Sequence, residues 1–172
     1  DSPNAGKKDK GKGSYLWDAV RFSHKTFAVD HAIKTINADY ILWLDADTYT
    51  FRNITTDFVT ALLPSTKLVN FLGRGEKYPA GGWVCYNKKH PKITEFMKYW
   101  TDLYVNDTIF KELEWHDSYV FWQCIKRIAP NDGVDIGKGA GAKGHHVFIN
   151  SVLGGYVDHL KGKRKVLGKS SR

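Results

Sequence analysis

The chain has 172 residues, a net charge of +8, 42% hydrophobic residues and two cysteines. That length suits one domain with a core of its own, and two cysteines can build neither a disulfide framework nor a zinc cluster. No apolar run is long enough to cross a bilayer and no N-terminal stretch reads as a secretory signal. The expectation is therefore a soluble, cytoplasmic protein with Cys85 and Cys124 as plain buried thiols.

The positive charge is not spread over the chain. Residues 1–13 hold four Lys against two Asp, and residues 159–172 hold four Lys and two Arg with no acid, which leaves the body near neutral. A nucleic-acid binder would carry its cations as a stripe across a folded face, so no nucleic-acid partner is expected. The C-terminal cluster reads either as a solvated tail or as a local anion site. The organisation is one domain over 1–172, with a polar tail at 1–13 and a basic segment at 159–172.

From Ser14 to about Ala38 the pattern predicts a helix, with Phe22, Val29, Ile33 and Ile36 on one face and Val20 and Phe27 as a second apolar line. Arg21, Lys25, Ala28 and Ala32 form a further stripe that sets two cations one turn apart. Tyr40-Ile-Leu-Trp-Leu-Asp45-Ala-Asp47-Thr48 follows, an apolar run that ends in two carboxylates one residue apart. The run predicts a strand buried on both faces, as in a parallel sheet, and ligands gather beyond the carboxyl ends of such strands. Asp45 and Asp47 would stand on the same side of an extended backbone. They offer two hard oxygen ligands suited to Mg²⁺ or Mn²⁺ shared with a substrate phosphate. The same segment also fits a turn begun by Asp, or the DxDxT of aspartate-nucleophile phosphohydrolases.

Strands are expected at Leu68 to Leu72 and at Trp83 to Tyr86. The Gly81-Gly82 pair before the second of these reads either as a bulge or as a backbone open to close approach by a sugar. Pro91 opens an amphipathic helix carrying Ile93, Phe96, Met97, Trp100 and Tyr104 on one face. Asp117 or Ser118 would cap another through Ala129, with Val120, Cys124, Ile125 and Ile128 inward. Residues from Pro130 to Gly144 are expected to be irregular, and His145 to Ile149 a short strand. This alternation of helix and strand predicts the α/β class.

His159-Leu-Lys-Gly162-Lys-Arg-Lys165 fits H-x-x-G-x-x-K. An imidazole can ligate a metal, Gly admits close backbone approach, and Lys is a point charge for phosphate. The apolar stretch from His145 to Val157 would anchor this segment in the fold. His159 is then expected beside Asp45 and Asp47, with Lys165 pointing into the same cleft. His116, His145 and His146 read as incidental rather than as ligands.

The order LWLDADT, PAGGWVCYN, Glu114-Trp115-His116-Asp117 and HxxGxxK resembles GT-A-fold glycosyltransferases, in the pattern of the glycogenin and galactosyltransferase group and of bacterial and viral sugar transferases. The resemblance spans roughly Tyr15 to Lys165. It implies a Rossmannoid mixed sheet flanked by helices and a nucleoside-diphosphate sugar passed to an unknown acceptor: a glycan, a protein or a small molecule. It also implies Mn²⁺ or Mg²⁺ on Asp45, Asp47 and His159. Asp45, Gly162 and Lys165 would meet the sugar nucleotide, with Lys161 or Lys163 assisting at the diphosphate. Ala80, Gly81 and Gly82 would flank the sugar, and Arg21 and Lys25 would face the donor from the preceding helix. Asp117 would sit near the reacting carbon. If the reaction inverts, Asp117 is the first choice of base and Glu114 the second. Two departures stand out: Val166-Leu167 replaces the usual Pro-Trp after the last Lys, and only a polar stretch and one helix precede the DxD where a strand–helix–strand unit normally grips the base. The expected architecture is thus incomplete at its N-terminal end.

Two other functions compete. A phosphohydrolase needs a later Lys and a second acidic cluster, for which Asp132-Gly-Val-Asp135 is the candidate. A non-catalytic carbohydrate- or nucleotide-binding module would use the six Trp and nine Tyr as stacking surfaces.

Overall fold

The computed structural model describes residues 13–138, 140, 146–160 and 164–167. The polar tail before Gly13, His145, and Lys161, Gly162 and Lys163 of the basic segment lie outside the described residues.

A 3₁₀ turn over Ser14–Trp17 precedes helix α1, Ala19–Thr35. The sequence predicted one helix from Ser14 to Ala38. Asp18 breaks it with a non-helical backbone, and its carboxylate caps α1 by accepting from the Arg21 N–H at 3.3 Å. Val29 and Ile33 are buried as expected, but Ile36 lies past the end of the helix in extended backbone and is exposed, as are Val20 and Phe27.

Strand β1, Tyr40–Leu44, pairs antiparallel with β4, Lys77–Asn87, in a register running from Tyr40↔Asn87 to Leu44↔Trp83. Strand β3, Val69–Arg74, lies on the other side of β4, and β5, Gly133–Asp135, runs parallel to β3. The order is β1-β4-β3-β5, a mixed sheet. The expectation of a central parallel strand therefore fails for β1. Among the described residues it is an edge strand with one antiparallel partner, and only Ile41 of its residues is buried. The doubly buried strand is β4, whose residues from Gly82 to Asn87 are all buried. The apolar content of β1 serves instead to pack under α1 and to wall a cleft. β5 falls within a stretch expected to be irregular. It is short and takes its order from pairing with β3 rather than from its own composition.

Side chains alternate across the sheet. Val69, Phe71, Val84 and Tyr86 join the larger core with α1, with α3 (Ile93–Val105) and with α4 (Asp117–Ile128). Leu72, Ala80 and Trp83 turn to a smaller core with Phe148, Leu153 and Val157, against which α2, Thr56–Leu62, also packs. Of the predicted inward residues of α3 and α4, Ile93, Phe96, Met97, Trp100, Val120, Cys124 and Ile125 are buried, and Tyr104 and Ile128 are half-buried against the same core. The cap of α4 is His116, one residue before the predicted position. Residues 147–150 are turn rather than strand. Both cysteines are buried and free, and burial pushes the Cys85 thiol up to about 12. No described helix is long and apolar enough to cross a membrane.

Two further strands place the cleft. β2, Thr48–Thr50, and β6, Val157–His159, pair antiparallel with Thr48 opposite His159. A last short helix, α5, spans Arg164–Leu167.

Candidate metal and sugar-nucleotide site

The Asp45 N–H bonds the Gly82 carbonyl at 3.1 Å, the last rung between β1 and β4. The chain then turns, because both the Thr48 N–H and its hydroxyl donate to the Asp45 carbonyl, at 3.0 and 2.8 Å. Asp45 and Asp47 therefore occupy a tight turn and not the extended backbone expected from the sequence. The turn still points both carboxylates the same way, and by reversing the chain it creates β2, which captures β6 and brings His159 alongside. The His159 Nε2 lies 2.7 Å from Asp47 Oδ1 and 3.7 Å from Asp45 Oδ2. One ligand atom from each of the three residues falls within 4.8 Å of the others. Lys165 of α5 places its Nζ 2.6 Å from Asp47 Oδ2. Burial raises the Asp47 pKa, but the Lys165 hydrogen bond and the His159 charge outweigh it and hold the carboxyl below its ordinary value.

His159 is buried, with its ring packed on Phe148 at 5.1 Å between centroids, and its backbone N–H donates to the buried Asp158 carboxylate at 2.7 Å. The Gly81–Trp83 bulge in β4 makes room for it. The β3–β4 register jumps from Phe71↔Val84 to Leu72↔Ala80, leaving these three residues unopposed. A Cβ on Gly82 would lie 2.6 Å from His159 Nδ1, and one on Gly81 would lie 2.4 Å from Asp117 Oδ2. The bulge expected as one alternative at Gly81-Gly82 is present, and the space beside it is taken by the chain's own His159 and Asp117 side chains.

Lys25 is buried on α1 and reaches three elements. Its ammonium donates to the Gly81 carbonyl and, at 2.8 Å, to Asp117 Oδ2, stands 3.6 Å from Asp45 Oδ1, and lies 5.0 Å from the centre of the Trp43 ring. Burial raises the Asp117 pKa, yet the Lys25 charge and hydrogen bond, the nearby His116 and the Ser118 N–H more than offset it, so Asp117 titrates below its ordinary value.

Arg21, Lys25, Asp45, Asp47, Asp117, His159 and Lys165, seven residues singled out in the sequence, line one cleft of about 860 Å³. Four others do not line it: Gly81 and Gly82, which sit against Asp117 and His159, and Ala80 and Glu114. Ala80 packs in the smaller core opposite Leu72, because the bulge turns it away from the cleft. Glu114 bonds the His116 Nε2 at 2.7 Å in the loop before α4 and stands beyond the lining residues. Gly162 lies outside the described residues. Sequence reasoning also missed lining residues. Trp43, whose Nε1 donates to Asp45 Oδ1 at 2.8 Å, was signalled by its place two residues before Asp45 on the same side of a strand. Phe22 and His24 join from α1 beside the Arg21–Lys25 stripe.

Asp132 and Asp135, the second acidic cluster of the phosphohydrolase reading, lie by β5 at the far edge of the sheet from β1. Asp132 pairs with Lys92 at 2.7 Å, and Asp135 Oδ1 accepts the backbone N–H groups of Gly73, Gly137 and Lys138. Both are committed to structure.

No protein-family model matches the chain, and neither does any curated protein. Among solved structures the chain is similar to a glycosyltransferase involved in the glycosylation of the major capsid of PBCV-1. The match has 18% identity and a TM-score of 0.53, and covers 91% of this chain and 78% of that one. This likeness shows the fold: the chain has a mixed α/β architecture like that of this glycosyltransferase, a mixed sheet flanked by helices.

Proposed function

We propose that this protein is a divalent-metal-dependent glycosyltransferase, moving a sugar from a nucleoside-diphosphate donor to an acceptor. The observation that carries the reading is the convergence of Asp45, Asp47 and His159 beside Lys165, at the end of β1 in a glycosyltransferase fold. Two carboxylates and an imidazole fit Mn²⁺ or Mg²⁺, and the nitrogen ligand tilts the choice toward Mn²⁺, the softer ion. When bound, the cation supplies charge neutralisation for the departing diphosphate.

The chain's own residues do the rest. Lys165 and Arg21 supply cations along the cleft wall for the diphosphate, with Gly162 and its neighbouring lysines assigned to the same task. Asp117 stays ionised because Lys25 holds it so. A carboxylate kept in that state is a weak proton acceptor but a fixed negative charge. Its role is to stabilise the positive charge that develops on the sugar as the bond to the leaving group breaks. Lys25 thus acts on the sugar through Asp117 and the Gly81 carbonyl, while those groups occupy its ammonium. We take residues 1–172 as one domain, and the two buried, unpaired thiols as suited to reducing cytoplasm.

A panel of sugar nucleotides with Mn²⁺, assayed by release of nucleoside diphosphate, tests the reading. Turnover of at least one is expected, and Asp47→Ala should lower it by about 10²–10³-fold. Hydrolysis of an aryl phosphate without sugar-nucleotide turnover would replace this reading with the phosphohydrolase.

A further inference from the structure

We infer that Tyr15, Phe22, Tyr78, Glu114 and His116 form a second subsite, one that binds a neutral pyranose ring of the acceptor. The inference rests on the glycosyl-transfer reading for the name of the occupant, and on the geometry for the site.

A file of charged groups leads there from the metal end of the cleft. Asp45 stands 3.6 Å from the Lys25 ammonium, which pairs with Asp117 at 2.8 Å. His116 precedes Asp117 in the chain and holds Glu114 Oε2 at 2.7 Å from its Nε2. Around the His116 ring stand Tyr15, Phe22 and Tyr78, with centroids at 6.2, 6.1 and 5.6 Å. Phe22 also lines the cleft, so the two regions share a wall.

The set is held in place before any ligand arrives. The Trp115 N–H bonds the Leu16 carbonyl at 2.7 Å and the Trp17 Nε1 bonds the Leu113 carbonyl at 2.9 Å, which ties the turn bearing Tyr15 to the loop bearing Glu114. Arg74 fixes the Tyr78 backbone through a 2.6 Å bond from its Nε to the Tyr78 carbonyl. The imidazole is buried, whereas Tyr15 is 53% exposed and the Glu114 side chain 25% exposed. Among the described residues, the Glu114 Oε1 has only a long contact, 3.5 Å from the Tyr78 hydroxyl. An oriented carboxylate oxygen beside the exposed Tyr15 ring and the half-buried rings of Phe22 and Tyr78 suits one ligand chemistry: hydroxyls to donate to the oxygen, and C–H faces to rest on the negative faces of the rings. A second anion would be repelled by Glu114.

Position names the occupant. The diphosphate leaves toward Asp47 and Lys165, and the sugar is held by Asp117. The acceptor must reach the same carbon, and this set adjoins Asp117 through His116, its neighbour in the chain, and the cleft through Phe22.

Ligand-observed NMR with a panel of methyl pyranosides, without metal or sugar nucleotide, tests the subsite. Binding of at least one pyranoside is expected to wild type and to Asp47→Ala. It should be lost in Tyr15→Ala and weakened tenfold or more in Glu114→Gln, a variant of the same size and shape that keeps the loop folded. Absence of pyranoside binding to wild type overturns the subsite, as does binding that survives both Tyr15→Ala and Glu114→Gln or disappears only in Asp47→Ala. Nucleoside-diphosphate release is measured separately. Release without pyranoside binding removes the subsite alone, and pyranoside binding without release leaves a sugar site while removing the transfer reading.

Discussion

Gly82 shows how little space separates a working site from a disrupted one. A methyl group there would sit 2.6 Å from His159 Nδ1, 2.7 Å from its Cε1 and 3.1 Å from Phe148 Cζ. Phe148 is fully buried and packs against the imidazole, so the methyl would be crowded by both rings. Gly82→Ala should therefore push His159 off Asp47. Calorimetry should show Mn²⁺ affinity reduced by about 10–100-fold, the range for disturbing a group that orients a ligand. Overpacking should also lower stability by about 1–3 kcal/mol. Gly155→Ala is the control, since a Cβ there meets nothing within 4 Å, and it should change neither quantity. Unaltered metal affinity in Gly82→Ala would remove His159 from the site. The sequence marked Gly82 through its pairing with Gly81. It could not say which side chain needed the space, because that side chain arrives from the other end of the chain.

Among the elements, the short ones connect the long ones. β2 and β6 have three residues each, too few for a periodic signal, and neither was legible in the sequence. Their pairing nevertheless sets Thr48 against His159 and so assembles the metal ligands. A similar tie holds the start of α3 to the loop before β5, where Lys92 bonds Asp132 at 2.7 Å with His90 at 4.0 Å. The Lys92 hydrogen bond is the main reason that the Asp132 pKa lies below its ordinary 3.8, with burial working the other way. A carboxyl depressed on folding contributes stability above its unfolded pKa and loses it as pH falls through the folded value. The stability gap between wild type and Asp132→Asn, measured by urea unfolding, should be constant from pH 7 to about 4 and then close in more acid solution. A gap that stayed open down to pH 2 would mean that Asp132 matters through shape and not charge.

At the scale of the whole molecule, Lys25 is the point where α1, the turn after β1, the bulge in β4 and the start of α4 meet. Its charge is buried and paired with Asp117, so removing one partner leaves the other without compensation. Lys25→Met should cost about 3–5 kcal/mol in chemical denaturation. Asp117→Asn added to it should recover part of that loss, since the stranded carboxylate is then gone. A loss well under 1 kcal/mol would show that solvent reaches this pair and screens it. The sequence marked both residues, as a basic stripe on a helix and an acid at a helix start. Their contact lies across 92 positions of chain, and no local pattern encodes it.

What the sequence determined by itself is what short-range chemistry controls. An apolar run ending in Asp45 and Asp47, the helical spacing of α3 and α4, and the imidazole and lysine of the last motif were all readable, because periodicity and ligand type are local properties. The tertiary structure decided the rest. Pairing made β1 an edge strand and β4 the buried one. A bulge turned Ala80 into a core and opened space for His159. The turn after β1 replaced the expected extended backbone yet kept both carboxylates on one side. Each of these depends on which strand lies beside which, and that is fixed by burial summed over two cores and by hydrogen bonds between distant residues.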